Sequence, residues 1–148
     1  NSCGATDVAD APNIDWEEFT AARTALGADF IRILGYFRED GVKSVLAIEN
    51  AMRSGDAVAL ILPAHTLKGE ALQFGAESVA EIAERIETVA RHCVEVREAP
   101  DELLPIVVAL RPLFDETLAA FDRETNPLVE RRGFGRRVEA ANQSFGRI

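Results

Sequence analysis

The chain has little of what builds redox, metal or disulfide frameworks, with two cysteines and two histidines among 148 residues. Cys3 and Cys93 lie far apart with no CxxC spacing, which excludes a disulfide scaffold and a thiolate zinc site and fits a reduced, cytoplasmic setting. His92 and Cys93 are adjacent, so on a helix they point to different faces, and no further ligand spacing supports a metal there. No apolar run approaches the ~20 residues that span a bilayer. The opening Asn1-Ser2-Cys3-Gly4 lacks a signal-peptide pattern, and the absence of an initiator methionine suggests a processed N-terminus. Positive charge is also scarce. Sixteen Lys and Arg against 25 Asp and Glu give a net charge of −9, which argues against general binding to nucleic acid or to an anionic membrane and leaves proteins or small molecules as partners. Strand-period alternation and repeats of 20 to 50 residues are both missing, so neither a sheet nor a solenoid is expected.

What is present is helical periodicity and, at 47% hydrophobic residues, enough apolar content for a single core. Residues 1–13 read as a small, polar N-terminal tail. Asp15 can cap a short helix that begins at about Trp16, with Glu18 reaching back and Ile14 stapled onto Phe19, and Gly27 stops it. From Ala28 to Ser54 the apolar residues Phe30, Ile33, Leu34, Phe37, Val45, Leu46, Ile48 and Met52 predict one long helix with a break near Gly41. Ser54-Gly55-Asp56 is turn chemistry, Ala57 to Phe74 is the next helix, and Gly75 separates it from a helix over about Ala76 to Cys93. Asp101 is expected to cap a last helix with the stripe Leu103, Val107, Leu110, Phe114, Leu118 and Phe121, kinked at Pro112. Short connections favour antiparallel neighbours. The expected fold is therefore all-α: an up-and-down antiparallel four-helix bundle over residues 14–126 with an N-terminal accessory helix. Residues 127–148, rich in Arg and Gly, read as a C-terminal tail.

The segment Leu60 to Gly75 separates cleanly on a helical wheel. Leu60, Ala64, Leu67, Ala71 and Phe74 fall within roughly 80° of one another and form the stripe a bundle helix buries. His65 lies nearly opposite, with Lys68 at i+3, Gly69 at i+4, Leu72 at i+7 and Ile61 one turn before. A solvent-facing imidazole is substantially neutral near pH 7 and keeps a ring-nitrogen lone pair able to attack phosphorus. Lys68 can place an ammonium beside the oxygens of a transferring phosphoryl group. A glycine inside a helix costs roughly 1 kcal/mol relative to alanine, and at Gly69 the missing side chain would let a partner's backbone approach. Ile61 and Leu72 are apolar residues expected on the exposed side, as on a docking surface.

Ala64-His65-Thr66-Leu67-Lys68-Gly69, followed by Phe74-Gly75-Ala76, resembles the signature of the histidine-containing phosphotransfer (HPt) domain family, and residues 14–126 are similar to it in helix order and length. The resemblance implies a bundle whose exposed histidine, here His65, accepts a phosphoryl group from a receiver-domain aspartate, commonly of a hybrid histidine kinase, and passes it to another response regulator. It implies that Mg²⁺ and most catalytic groups belong to the receiver, so that this chain binds no cofactor and has no turnover alone. Lys68 is then the counter-charge and Gly69 the access point, with Ile61, Leu72, Gln73 and Glu70 as docking residues on a monomer. The sequence departs from the family's usual pattern at Glu70, where a small residue is common, and at Pro63, which should remove a bond to the Ala59 carbonyl and kink or restart the helix before the reactive turn. Glu70, about 140° from His65 on the wheel, is expected to tune partner choice.

Two other classes of function compete with this one. The phosphoacceptor part of a sensor kinase also uses a histidine on a helical bundle, but Thr66 follows His65 where that family usually has an acidic residue, and no Gly-rich nucleotide-binding segment is present. A non-reactive helical module that only docks a receiver or kinase would not need His65, Lys68 and Gly69 together.

Overall fold

The computed structural model of the protein describes residues 11–126, and among them there is no strand. The parts of the expected tails at residues 1–10 and 127–148 lie outside the described residues. The chain divides into two compact units, with the boundary inside the last helix between Thr117 and Leu118. The first unit holds an accessory helix and an up-and-down helical bundle.

Helix α1 (Trp16–Leu26) starts where Asp15 Oδ1 accepts from the free backbone N–H groups of Glu17 and Glu18, at 3.1 and 3.2 Å, and ends at Gly27 with φ +56°. A single 3-10 turn, Gly27–Asp29, leads into α2 (Phe30–Arg53). Helix α2 is continuous through Gly41, contrary to the break expected there. Gly41 is buried, and a Cβ on it would lie 2.6 Å from Cε1 of Phe114, so this glycine serves a close helix crossing rather than a chain break. Leu46, expected on the core stripe, is instead 46% exposed, because the stripe passes through Val45 and Ile48 and leaves Leu46 on the outer face.

Helix α3 (Ala57–Gln73) is capped by Asp56, whose Oδ1 accepts from the Ala59 N–H at 3.1 Å, and it runs unbroken through Pro63. The restart expected there does not occur: one missing donor in a helix buried along a whole face is outweighed by packing. Helix α4 (Glu77–Val96) extends beyond the expected Cys93 and closes with Arg97 in a left-handed conformation, φ +59°, where the Glu98 N–H reaches the Cys93 carbonyl at 2.9 Å. Asp101 does not cap the last helix. It sits in a 3-10 turn, Asp101–Leu103, and α5 (Leu104–Thr125) follows, passing through Pro112 without interruption.

The core of the first unit is built on α3. Leu60, Ala64, Leu67, Ala71 and Phe74 are each no more than 1% exposed, which is the stripe that the wheel defines. A chain of ring contacts runs from Phe19 to Phe30 at 5.3 Å, to Phe74 at 6.0 Å, to Phe37 at 5.4 Å and to Phe114 at 5.6 Å between centroids. Such pairs contribute about 0.5–1.5 kcal/mol each beyond their area. Helices α2 and α5 are also clamped by Arg111, whose Nε and Nη2 donate to Glu49 at 2.9 and 2.8 Å.

The turn between α3 and α4 needs Gly75, with φ +76°, and it is also where the accessory helix is attached. The Asp15 N–H donates to the Gly75 carbonyl at 2.8 Å, and the Ser78 N–H to the Asn13 carbonyl at 3.1 Å. A Cβ on Gly75 would collide with the Asp15 backbone. No helix among the described residues is long and apolar enough to cross a membrane.

Candidate functional site

Because the opposite face of α3 is buried along its length, the face carrying His65 is forced outward, and the imidazole is 57% exposed. It is not unsupported. His65 Nδ1 lies 3.0 Å from Oε2 of Glu87, a residue of α4 that is only 6% exposed. The same carboxylate oxygen accepts from Arg91 Nε and Nη2 at 3.1 and 2.8 Å, while Lys68 Nζ stands 3.0 Å from the other oxygen, Oε1. The Lys68 contact is an ion pair without hydrogen-bond direction, and Oε1 has no well-aligned donor.

Burial pushes the Glu87 carboxyl up, but the Arg91 guanidinium, the Lys68 ammonium and the His65 ring against it outweigh that and hold the group at about 2. Glu87 is therefore ionised near neutral pH and can only accept. The hydrogen on the neutral His65 ring then belongs on Nδ1, and the lone pair on Nε2, the nitrogen not engaged by Glu87. One buried carboxylate thus orients the ring and selects its tautomer.

The structure sorts the other residues singled out by sequence. Gly69 lies on the His65 face, and a Cβ there would meet nothing within 4 Å, so the glycine is not required by any packing against it. Leu72 is 54% exposed and Gln73, the last residue of α3, is also exposed. Ile61 is half-buried rather than openly displayed. Glu70, on the flank of the helix, is half-buried, with Oε1 out of reach of solvent and unpartnered, and burial first, then Asp40 of α2, push its carboxyl up. His92 is exposed, 4.0 Å from Glu95, and no metal-binding group of three or more His, Cys, Asp or Glu occurs among the described residues.

Sequence reasoning missed Glu87 and Arg91. A signal existed: Ala80, Ala83, Ala90 and Cys93 are buried on α4, and Glu87 falls in register with them at i+4 from Ala83 and i−3 from Ala90. A carboxylate on the buried stripe needs cationic partners, and His65 and Lys68 were available on the neighbouring helix.

Comparison with known proteins fits this geometry. The Hpt domain family matches residues 32–124. A solved structure, histidine-containing phosphotransfer protein B (HptB) from Pseudomonas aeruginosa PAO1, superposes with a TM-score of 0.64 at 22% identity, over 78% of this chain and 98% of that one, a likeness of fold. No curated protein matches the chain.

Proposed function

The chain belongs to the Hpt domain family, the phosphoryl carriers of two-component signalling, and on that basis we propose that His65 accepts a phosphoryl group from a receiver-domain aspartate, commonly of a hybrid histidine kinase, and relays it to another response regulator. The observation that carries this reading is the half-exposed His65 ring, tied at Nδ1 to a buried carboxylate and leaving Nε2 as the attacking nitrogen. The Nε2 lone pair forms the N–P bond as the P–O bond to the receiver aspartate breaks, its electrons returning to that carboxylate. Lys68, beside the ring, offset charge on the transferring group, and Gly69 leaves room for the receiver's backbone. Leu72 and Gln73 supply exposed docking contacts, and Ile61 a partly covered one. In this reading Mg²⁺ belongs to the receiver, and the chain works as a monomeric cytoplasmic carrier without turnover of its own.

The test is labelling. Incubation with a phosphorylated receiver should place acid-labile, base-stable phosphate on the protein, and His65→Gln should abolish it. Label persisting in that variant removes the assignment, and receiver binding without label returns the protein to a docking role. Direct labelling from ATP would instead mark a kinase fragment.

A further inference from the structure

Glu87 does more than orient a ring, because its charge faces the nitrogen that must hold a proton throughout a phosphoryl carrier's cycle. When the Nε2 lone pair of a neutral ring forms the N–P bond, Nδ1 keeps its hydrogen and the ring becomes a phosphorylated imidazolium. In the onward step an acceptor carboxylate oxygen attacks phosphorus, the N–P electron pair returns to Nε2, and the ring leaves as neutral imidazole. No proton moves in either direction provided that Nδ1–H persists. If that proton escapes in between, the leaving group becomes imidazolate, a far poorer one, and donation stalls.

Resting on the reading of His65 as the phosphoryl acceptor, we propose that the Glu87 carboxylate retains the proton on Nδ1 of phosphorylated His65 and so sets the pH range over which this protein can donate its phosphoryl group. Glu87 is a positioning residue here, acting through His65 and touching no reacting atom. The geometry supports the assignment: Oε2 is 3.0 Å from Nδ1, and Glu87 is only 6% exposed, where a carboxylate stabilises a neighbouring cation more strongly than in open water. The other charged groups against this carboxylate are Lys68 from α3 and Arg91 from α4. Lys68 reaches Oε1 without hydrogen-bond direction, so it is the cation able to turn toward phosphoryl oxygens. Arg91 shares Oε2 with the ring and competes with it for the carboxylate.

The experiment uses phosphoramidate to phosphorylate His65 chemically in the whole chain, and phosphorus and nitrogen NMR to follow titration of the phosphorylated ring. In Glu87→Gln, which preserves shape and removes the charge, the titration midpoint should fall by about one pH unit, so that above it roughly tenfold fewer rings keep the proton. Donation to a receiver should then drop about tenfold near pH 8 and change little near pH 6. An unmoved midpoint overturns the proposal. Should Glu87→Gln fail to fold by circular dichroism, Arg91→Gln decides the matter: freeing Oε2 for the ring should raise the midpoint, and no rise counts against the proposal. Failure of the parent reading looks different. A protein that phosphoramidate labels on His65 but no phosphorylated receiver labels would end the relay assignment and leave the midpoint comparison standing.

Discussion

On the α4 side of α3, Glu87 gathers His65, Lys68 and Arg91 around one buried carboxylate. On the α2 side, Glu70 is set against another acid, Asp40, with one oxygen buried and unpartnered. The residue type is the same, and burial pushes both carboxyls up, yet the first is held at about 2 and the second is raised. The difference lies in the sign of the neighbours. It also separates the two flanks, since the one bearing His65 keeps its carboxylate charged at any cellular pH, whereas the other tolerates a carboxylate that resists ionising.

Acid titration should give the largest effect that breaks this comparison. A carboxyl depressed in the folded state contributes stability that is complete above its unfolded value and lost as pH falls through its folded one. For Glu87 the window runs from the ordinary range, about 4.3, down to about 2, and the loss should be on the order of 2–3 kcal/mol. Urea unfolding across that window should show the decline in the parent and a much flatter profile in Glu87→Gln. Next in size, Lys68→Ala should slow phosphotransfer about tenfold, some 1.4 kcal/mol of barrier. Its melting temperature should stay close to the parent's, because Lys68 is a partly exposed partner and Arg91 still holds Glu87. Rapid-quench labelling at unchanged speed would remove Lys68 from the chemistry.

Two smaller effects sharpen the comparison. Gly69→Ala has open space around it and should raise stability by about 0.5–1 kcal/mol through helix propensity while lowering the rate of labelling by a receiver. A stabilised variant that transfers normally would show that access at Gly69 is not limiting. Glu70→Gln should stabilise the protein by less than about 1 kcal/mol near neutral pH, the value being reduced by partial exposure. The sign is opposite to that of Glu87: a raised carboxyl costs stability once ionised, so the gain should be present above its folded value and vanish on acidification. Denaturation of the variant and the parent at two pH values would reveal it.

Much of α3 was legible because one helix face is decided by its own sequence. The buried set Leu60, Ala64, Leu67, Ala71 and Phe74 follows from 3.6-residue periodicity alone, and the exposure of His65 follows from that set. Where the reading failed, a second element was needed. Gly41 looked like a break because its meaning lies in the ring of Phe114, 73 positions away in sequence, and Pro63 looked like one because local chemistry omits the packing that overrides it. Asp101 has capping chemistry, but it lies inside a 3-10 turn, three residues before the last helix begins at Leu104. Glu87 was hidden among acidic residues of a helix read only for its apolar stripe, and what distinguishes it is the partners it meets 22 residues back on α3.

The backbone bonds from Asp15 to Gly75 and from Ser78 to Asn13 have a consequence for how the molecule opens. They splice the accessory helix to the end of α3 as a short strand is spliced to a sheet, so the α3–α4 turn cannot fray without releasing the entry to α1. Their amide hydrogens should therefore exchange with solvent as one cooperative unit, and the protection of Asp15 and Ser78 should rise and fall together under denaturant.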